Sequence, residues 1–408
     1  MKQDLDRLMA ERGLDALVVV GQMRGNPALS YMLNGAHVLG GRVIKIRGEV
    51  PAFVHSPIER EEAVASGLVL VNVGQYDYPS ILRETCSEMA AEVELYRRIF
   101  ANLGVRGKVG FYGMADPGRS WLLLNALSDQ VEGIEIGAEF AQTVIDQARA
   151  TKDAAEAERI RQVGRRTAAV VGETIEYLQS HAVKEHALVQ SDGTPLTIGR
   201  VHQEIGRFLS AQGLEAPEGT IFAIGRDAAV PHNHGNPADL LRLGQTIVFD
   251  IYPRELGGYF FDMTRTFCLG YAPPEAEKLY QDVYDCLERV SAAYAVGTEL
   301  KLYQRMACQF FEGRGHPTIG SDSRTENGYV HGLSHGIGLA IHEEPSSSDV
   351  PTNTTIIRPG HIFTCEPGLY YPERGLGVRV EDVIWIDPEG RVEILTDFPK
   401  ELVVKVSA

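Results

Sequence analysis

Acidic side chains standing in apolar, strand-like runs constrain this chain most. Asp250 ends TIVFD (246–250), and Asp262 follows GGYFF (257–261). Glu366 precedes a Pro-Gly turn in CEPGLY (365–370), and Glu381 lies within VRVEDV (378–383). A carboxylate in an apolar strand is costly unless it is paired or bound to a cation. Any fold for this sequence must therefore bring such groups to a place that satisfies them.

Between Asp250 and Asp262 lies PRELGG (253–258), rich in turn formers, so the flanking runs read as a hairpin that sets the two carboxylates side by side. Either aspartate alone is as well explained by a turn cap; the pair, each preceded by aromatic or β-branched residues, favours a ligand role. For Glu366 alone the structural and ligand readings balance. For Glu381 the apolar strand around it favours the ligand reading. HGLSHGIGLAIHEEP (331–345) holds three histidines and three glycines. His331 and His335 have the HxxxH spacing, but the glycines oppose a regular helix and His342-Glu343 lacks the second histidine of HExxH. A strand–turn segment follows, in which one histidine ligates metal and the others face substrate. With His335, the four carboxylates form a ligand set for two divalent cations about 3.5–4 Å apart, the arrangement that activates a shared water for hydrolysis. Oxygen-rich ligands suit hard or borderline cations better than a thiolate site would.

The rest of the chain supports a two-domain cytoplasmic protein. Its 408 residues exceed one ordinary core, and 44% hydrophobic content is enough to bury two. The net charge of −16 (39 basic against 55 acidic residues) and the lack of a basic patch disfavour nucleic acid. Five cysteines, an odd number without CxxC, imply neither a disulfide framework nor a zinc knuckle, and a reducing compartment fits. The amphipathic start is no signal peptide, and no apolar run is long enough to span a bilayer. Residues 1–145 read as helix–strand alternation without catalytic spacing; His37 and His55 read as surface or packing histidines. A boundary falls near 141–153. From Asp153 a long helix begins, capped by Thr151 or Asp153, with Ile160, Val163, Thr167, Val171, Thr174 and Leu178 on one face. Helices over 200–212 and 274–295 alternate with strand runs over 220–225, 245–252, 259–267, 361–367 and 376–387, an α+β pattern.

Together, TIVFDIY…GGYFFDMTRTF, HGLSHGIGLAIHEEP and IIRPGHIFTCEPGLYYPERGLGVRVEDVIWID resemble the pita-bread metallopeptidases, the group of methionine aminopeptidase, Xaa-Pro aminopeptidase and prolidase. The resemblance covers roughly 150–400, and residues 1–145 resemble the creatinase/prolidase N-domain more weakly. It implies a pita-bread domain over 150–408 behind a smaller α/β domain. The N-domain and the short Glu366–Glu381 gap point to the proline-specific branch.

By the same resemblance Asp250 binds one metal, Asp262 and Glu381 bridge both, and His335 and Glu366 bind the second. Manganese is the first expectation, with cobalt, iron or zinc compatible. Glu366 also moves the proton, His342 steadies the tetrahedral intermediate, and His232 in AVPHNHGNP (229–237) faces substrate. His331 and Arg379 stand near the site, and His234 reads as a neighbouring loop residue. The implied reaction is hydrolysis of the Xaa-Pro bond at the N-terminus of short peptides, by an aminopeptidase or a dipeptidase, in a homodimer formed through the N-domain. A metal-dependent hydrolase or lyase on the same fold ranks second, and a ligand-losing binding module a distant third. Three departures from the family pattern stand out: Ser334 for the usual glycine, a spacing one residue longer between Asp250 and Asp262, and Ile251-Tyr252-Pro253 for a small segment. The last bears on substrate choice more than on metal.

Overall fold

The computed structural model describes residues 3–407. The chain divides into two compact units, through Arg149 and from Ala150 onward.

The N-terminal unit is built on a six-stranded mixed sheet. Its strands are β1 (Ala16–Gln22), β2 (Gly40–Ile46), β3 (Ala52–His55), β4 (Val69–Asn72), β5 (Gly107–Gly113) and β6 (Ile134–Gly137), in the order β4-β3-β2-β1-β5-β6. Strands β2 and β3 form an antiparallel pair. Helices Glu88–Leu103 and Pro117–Gln130 supply buried residues, among them Tyr96, Ile99, Phe100 and Leu127, that close the core with Val18, Val54 and Val109.

In the C-terminal unit α1 (Ala154–Gln179) starts at a capping box. The Asp153 carboxylate accepts from the Ala155 and Glu156 amides, and Glu156 accepts from the Asp153 amide. All six predicted face residues of this helix are buried. At Gly164 a Cβ would lie 2.5 Å from the Phe261 ring, so the glycine lets the helix close on the segment that delivers Asp262. Beside α1 runs α2 (Ile198–Ala211). Both helices share a core with β7 (Ile221–Ile224), β8 (Thr246–Ile251) and β9 (Met263–Leu269), three strands of an antiparallel run.

A second pair of helices, α3 (Pro274–Ser291) and α4 (Lys301–Gly313), packs on the other side. Between the two helix pairs runs a five-stranded sheet that includes β10 (His335–Gly336), β11 (Glu343–Ser346), β12 (Ile362–Cys365) and β15 (Asp382–Ile386), in the order β11-β10-β12-β15 followed by Val392–Ile394. A two-stranded ribbon of β13 (Gly368–Tyr371) and β14 (Leu376–Arg379) completes the set. Along β15, Val383 and Trp385 enter the core of α1 and α2, while Ile384 and Ile386 enter that of α3 and α4. A strand covered on both faces has no solvated side, which is why VIWI carries no polar alternation.

Two expectations change. The run 376–387 is not one strand, because Val380 and Glu381 form a break between β14 and β15. Helix α4, which the sequence reading did not place, completes the second helix pair. No helix among the described residues is long and apolar enough to cross a membrane.

Candidate metal centre

Strand register brings the acidic residues together. In β8, Asp250 lies opposite Ile221 on one side and Thr264 on the other; Ile251 faces Met263, so Asp262 stands just before β9 on the adjoining strand. The predicted hairpin therefore brings the two aspartates near each other, with a long connection that adds its own short pairing of Arg254–Glu255 with Leu214–Glu215. Glu381 arrives from the break between β14 and β15. Its amide donates to the Thr264 carbonyl (3.1 Å), and the Thr264 hydroxyl donates to Glu381 Oε2 (2.8 Å). Arg265, the next residue, donates to the carbonyls of Thr264, Glu381, Phe398 and Pro399 and to the Asp382 carboxylate. One guanidinium thus fixes the backbone on either side of the Glu381 side chain. Glu366 follows β12, held by its amide donating to the Leu333 carbonyl (2.9 Å).

His335 completes the cluster. Its neighbour Gly336 sits so close to β11 that a Cβ there would meet the Glu344 carbonyl at 2.2 Å. The ring's Nδ1 lies 3.1 Å from the Gly336 carbonyl, which can only accept, so Nδ1 carries the proton. Burial pushes His335 down to about 3, keeping the ring neutral. The Nε2 lone pair consequently faces Glu366 (3.4 Å), Asp262 (3.7 Å) and Glu381 (3.9 Å). Donor atoms of Asp262, His335 and Glu381 all lie within 4.8 Å of one another.

The electrostatics call for a cation. Asp262 Oδ1, Glu381 Oε1 and Asp250 Oδ1 are buried and accept no hydrogen bond. Burial, then the neighbouring carboxylates Glu381, Asp250 and Glu366, hold Asp262 well above the usual carboxylate range. Burial and Glu381 do the same to Glu366. Glu381 is pushed up to about 8 by burial first and Asp250 second. Orphaned acceptors, repelling carboxylates and an aimed imidazole lone pair are what divalent cations resolve, and an oxygen-rich set with one nitrogen suits manganese, iron, cobalt or zinc.

Around this cluster the remaining side chains are tied down. Arg379 is buried and donates to Asp250 Oδ2 (2.5 Å), the Tyr370 hydroxyl (2.8 Å), the Thr264 hydroxyl (3.1 Å) and the Pro231 carbonyl (3.3 Å). His331 Nδ1 lies 2.7 Å from the Gly332 carbonyl and so bears its proton; Nε2 then accepts from the Tyr370 hydroxyl (2.9 Å). Burial lowers His331 to about 3, which fixes this neutral tautomer. His342 packs edge-on against His335, ring centroids 4.3 Å apart, and burial lowers its pKa.

The cluster floors a cavity of about 420 Å³. Every candidate from the sequence lines it: Asp250, Asp262, His335, Glu366, Glu381, His232, His342, His331 and Arg379. Tyr252 lines it too, while Ser334 turns its hydroxyl to Tyr294 (3.1 Å). His234 lies in the loop beside His232, as read, and also lines the cavity, its Nδ1 3.0 Å from the Thr220 carbonyl. Tyr370, Thr264 and Glu218 were missed. Tyr370 and Thr264 lie in GLYY and DMTRTF, within four residues of a ligand candidate, a signal that was available; Glu218 precedes its strand without any.

A Xaa-Pro dipeptidase of Pyrococcus furiosus is 25% identical over 407 residues, 98% of this chain and all of that one. A Bacillus subtilis relative, YkvY, is 33% identical over 186 residues, 45% of this chain, and the chain spans only 47% of that relative's length. Among solved structures, a Xaa-Pro dipeptidase from Bacillus anthracis superposes with a TM-score of 0.76 at 21% identity, covering 98% of this chain and 99% of its own. An X-Pro aminopeptidase from Thermotoga maritima gives 0.74 at 20%, covering 98% and 100%. These superpositions establish the α+β pita-bread fold. Residues 158–388, more than half of the chain and inclusive of every residue of the cluster, match the model of metallopeptidase family M24, and the chain belongs to that family.

Proposed function

We propose that this metallopeptidase hydrolyses the Xaa-Pro bond at the N-terminus of short peptides, using two divalent cations, manganese first, held by Asp250, Asp262, His335, Glu366 and Glu381. The observation that carries this reading is the convergence of three buried, unbonded carboxylate oxygens and the His335 lone pair on one cavity floor. The full-length likeness to a Xaa-Pro dipeptidase supports the proline preference. Cations bound there supply Lewis acidity for the scissile carbonyl and lower the pKa of an attacking water towards neutrality.

The chain's own residues do the rest. Glu366, the ligand candidate nearest His335, is placed to take the water's proton and return it to the leaving nitrogen. A neutral His342 can donate to the oxyanion as the tetrahedral state forms. His232 lines the cavity where it can orient the substrate. Arg379, through its bonds to Asp250 and Tyr370, keeps the aspartate's other oxygen free for metal. The same proposal includes a homodimer through the N-terminal unit, whose exposed Trp121, Leu122 and Phe140 offer apolar surface, and a cytoplasmic location, in keeping with five free cysteines.

The test is a substrate panel with Mn²⁺: Xaa-Pro dipeptides, longer Xaa-Pro peptides and Met-peptides. Cleavage confined to Xaa-Pro bonds supports the proposal; cleavage of Met-peptides alone, or of none with metal bound, refutes it, the latter favouring a lyase. Asp262→Ala should lose all activity while keeping its circular dichroism spectrum, and full activity in that variant would sink the metal assignment.

A further inference from the structure

The cavity above the cluster has an uneven supply of charge. Arg379 is the only lysine or arginine among the described residues lining it, and every donor group of that guanidinium has a partner within the protein. No free lysine or arginine among these lining residues is left for a substrate carboxylate. On the wall stands instead Glu218, an exposed carboxylate with no hydrogen bond or ion pair among the described residues. It belongs to the loop before β7, beside Gly219, whose Cβ position lies 3.4 Å from the His234 ring. Glu218 is also close enough to oppose the burial that lowers His342, and to add to the burial that raises Tyr252. Above the four carboxylates of the floor, Ile221, Pro231 and Ile341 form an apolar wall, and Ser346 and Ser348 share a hydrogen bond (3.0 Å).

A dipeptide and a longer peptide differ in one respect that this cavity can read. In Xaa-Pro the proline ends in a carboxylate next to the scissile bond; in an extended or amidated peptide a neutral amide takes its place. A buried or half-buried carboxylate needs a cationic or multiply donating partner. Beyond the floor it would meet imidazoles, serine hydroxyls and the negative charge of Glu218. The serines can serve an amide as donor and acceptor, and Glu218 can take a positive charge.

We propose that Glu218 is a specificity-determining residue which, in a cavity whose lining offers no free lysine or arginine, turns the site against Xaa-Pro dipeptides and towards extended or amidated Xaa-Pro peptides, basic ones above all. This deepens the Xaa-Pro reading and rests on it. It makes the chain an aminopeptidase rather than a dipeptidase.

The experiment compares kcat/KM of the manganese-loaded enzyme for Ala-Pro, Ala-Pro amide and Ala-Pro-Arg amide, in wild type, Glu218→Gln and Glu218→Lys. Competition by proline and by prolinamide is measured alongside. Two charges meeting across a wet cavity differ from a neutral pair by about tenfold or more in rate or affinity. Wild type should favour the amide over the acid by about tenfold, Glu218→Gln should narrow that ratio, and Glu218→Lys should reverse it. Equal or better turnover of the acid by wild type, or a ratio unmoved by Glu218→Gln, overturns the inference while leaving Xaa-Pro hydrolysis intact. Absence of turnover on all three peptides overturns both.

Discussion

Replacing Glu381 with glutamine should stabilise the metal-free protein and disable the metal-bound one. Glu381 is 1% exposed, and burial together with Asp250 raises it from 4.5 to about 8. Between those values the native state holds a proton that the unfolded chain releases, so the metal-free wild type loses stability as pH rises from 4.5 to 8. At pH 7 the penalty spans the gap from 4.5 to 7, which at 1.36 kcal/mol per unit is about 3 kcal/mol. Glutamine keeps the shape, can still accept from the Thr264 hydroxyl, and carries no charge to suppress. For a unit of this size the gain corresponds to roughly 5–10 °C in Tm. Calorimetry on chelator-treated protein at pH 7 should therefore place Glu381→Gln above wild type, and at pH 4.5 the gap should shrink to a few tenths of a kcal/mol. On adding Mn²⁺ the order should invert, because only wild type retains the anionic ligand and gains its binding energy. The reasoning is refuted if the variant melts below wild type in chelator at pH 7, or if the gap is the same at both pH values.

Other perturbations probe the frame. Lys152 and Glu343 form a buried ion pair at 2.5 Å, side chains 2% and 5% exposed; Lys152→Met should cost about 3–5 kcal/mol in urea denaturation, and Lys152→Met with Glu343→Leu should recover most of it. Burial, then Lys152 and Arg358, lowers His361 to about 3. Its folded value lies below the unfolded 6.5, so its contribution is complete above pH 6.5 and drains away as pH falls towards 3. His361→Leu should accordingly remove about 2 kcal/mol of the stability that wild type loses between pH 7 and pH 5, measured as the slope of unfolding free energy against pH.

The cluster was legible because burying charge is expensive and leaves a mark in sequence. Asp250 and Glu381 stand out from apolar neighbours, and the turn formers after Asp250 predict the antiparallel pairing that β8 and β9 adopt. The two-sided cover of β15 was harder to see. An unbroken apolar run fits a buried strand or a buried helix equally, and the break at Val380-Glu381 follows from pairing with two different partners, β13 and β12, which no local pattern encodes. Arg379 and Tyr370 show a third case. Each is unremarkable in its own strand, and their joint role arises from the register that sets Arg379 opposite Gly368 and within reach of Asp250. Glu218 was invisible for the plainest reason: an acidic residue in a loop has the solvent as its default partner, and only the fold turns it towards a cavity.

The cluster's side chains issue from strands or their immediate ends, whereas Glu218 issues from a connection and Ser346 from the edge strand β11. Strand interiors tolerate little change, since each backbone group there has a committed partner. Connections tolerate a great deal. Mutation can thus sample new diets for this enzyme without endangering the chemistry that digests them, and lineages built on the same floor can diverge in what they eat long before they diverge in how.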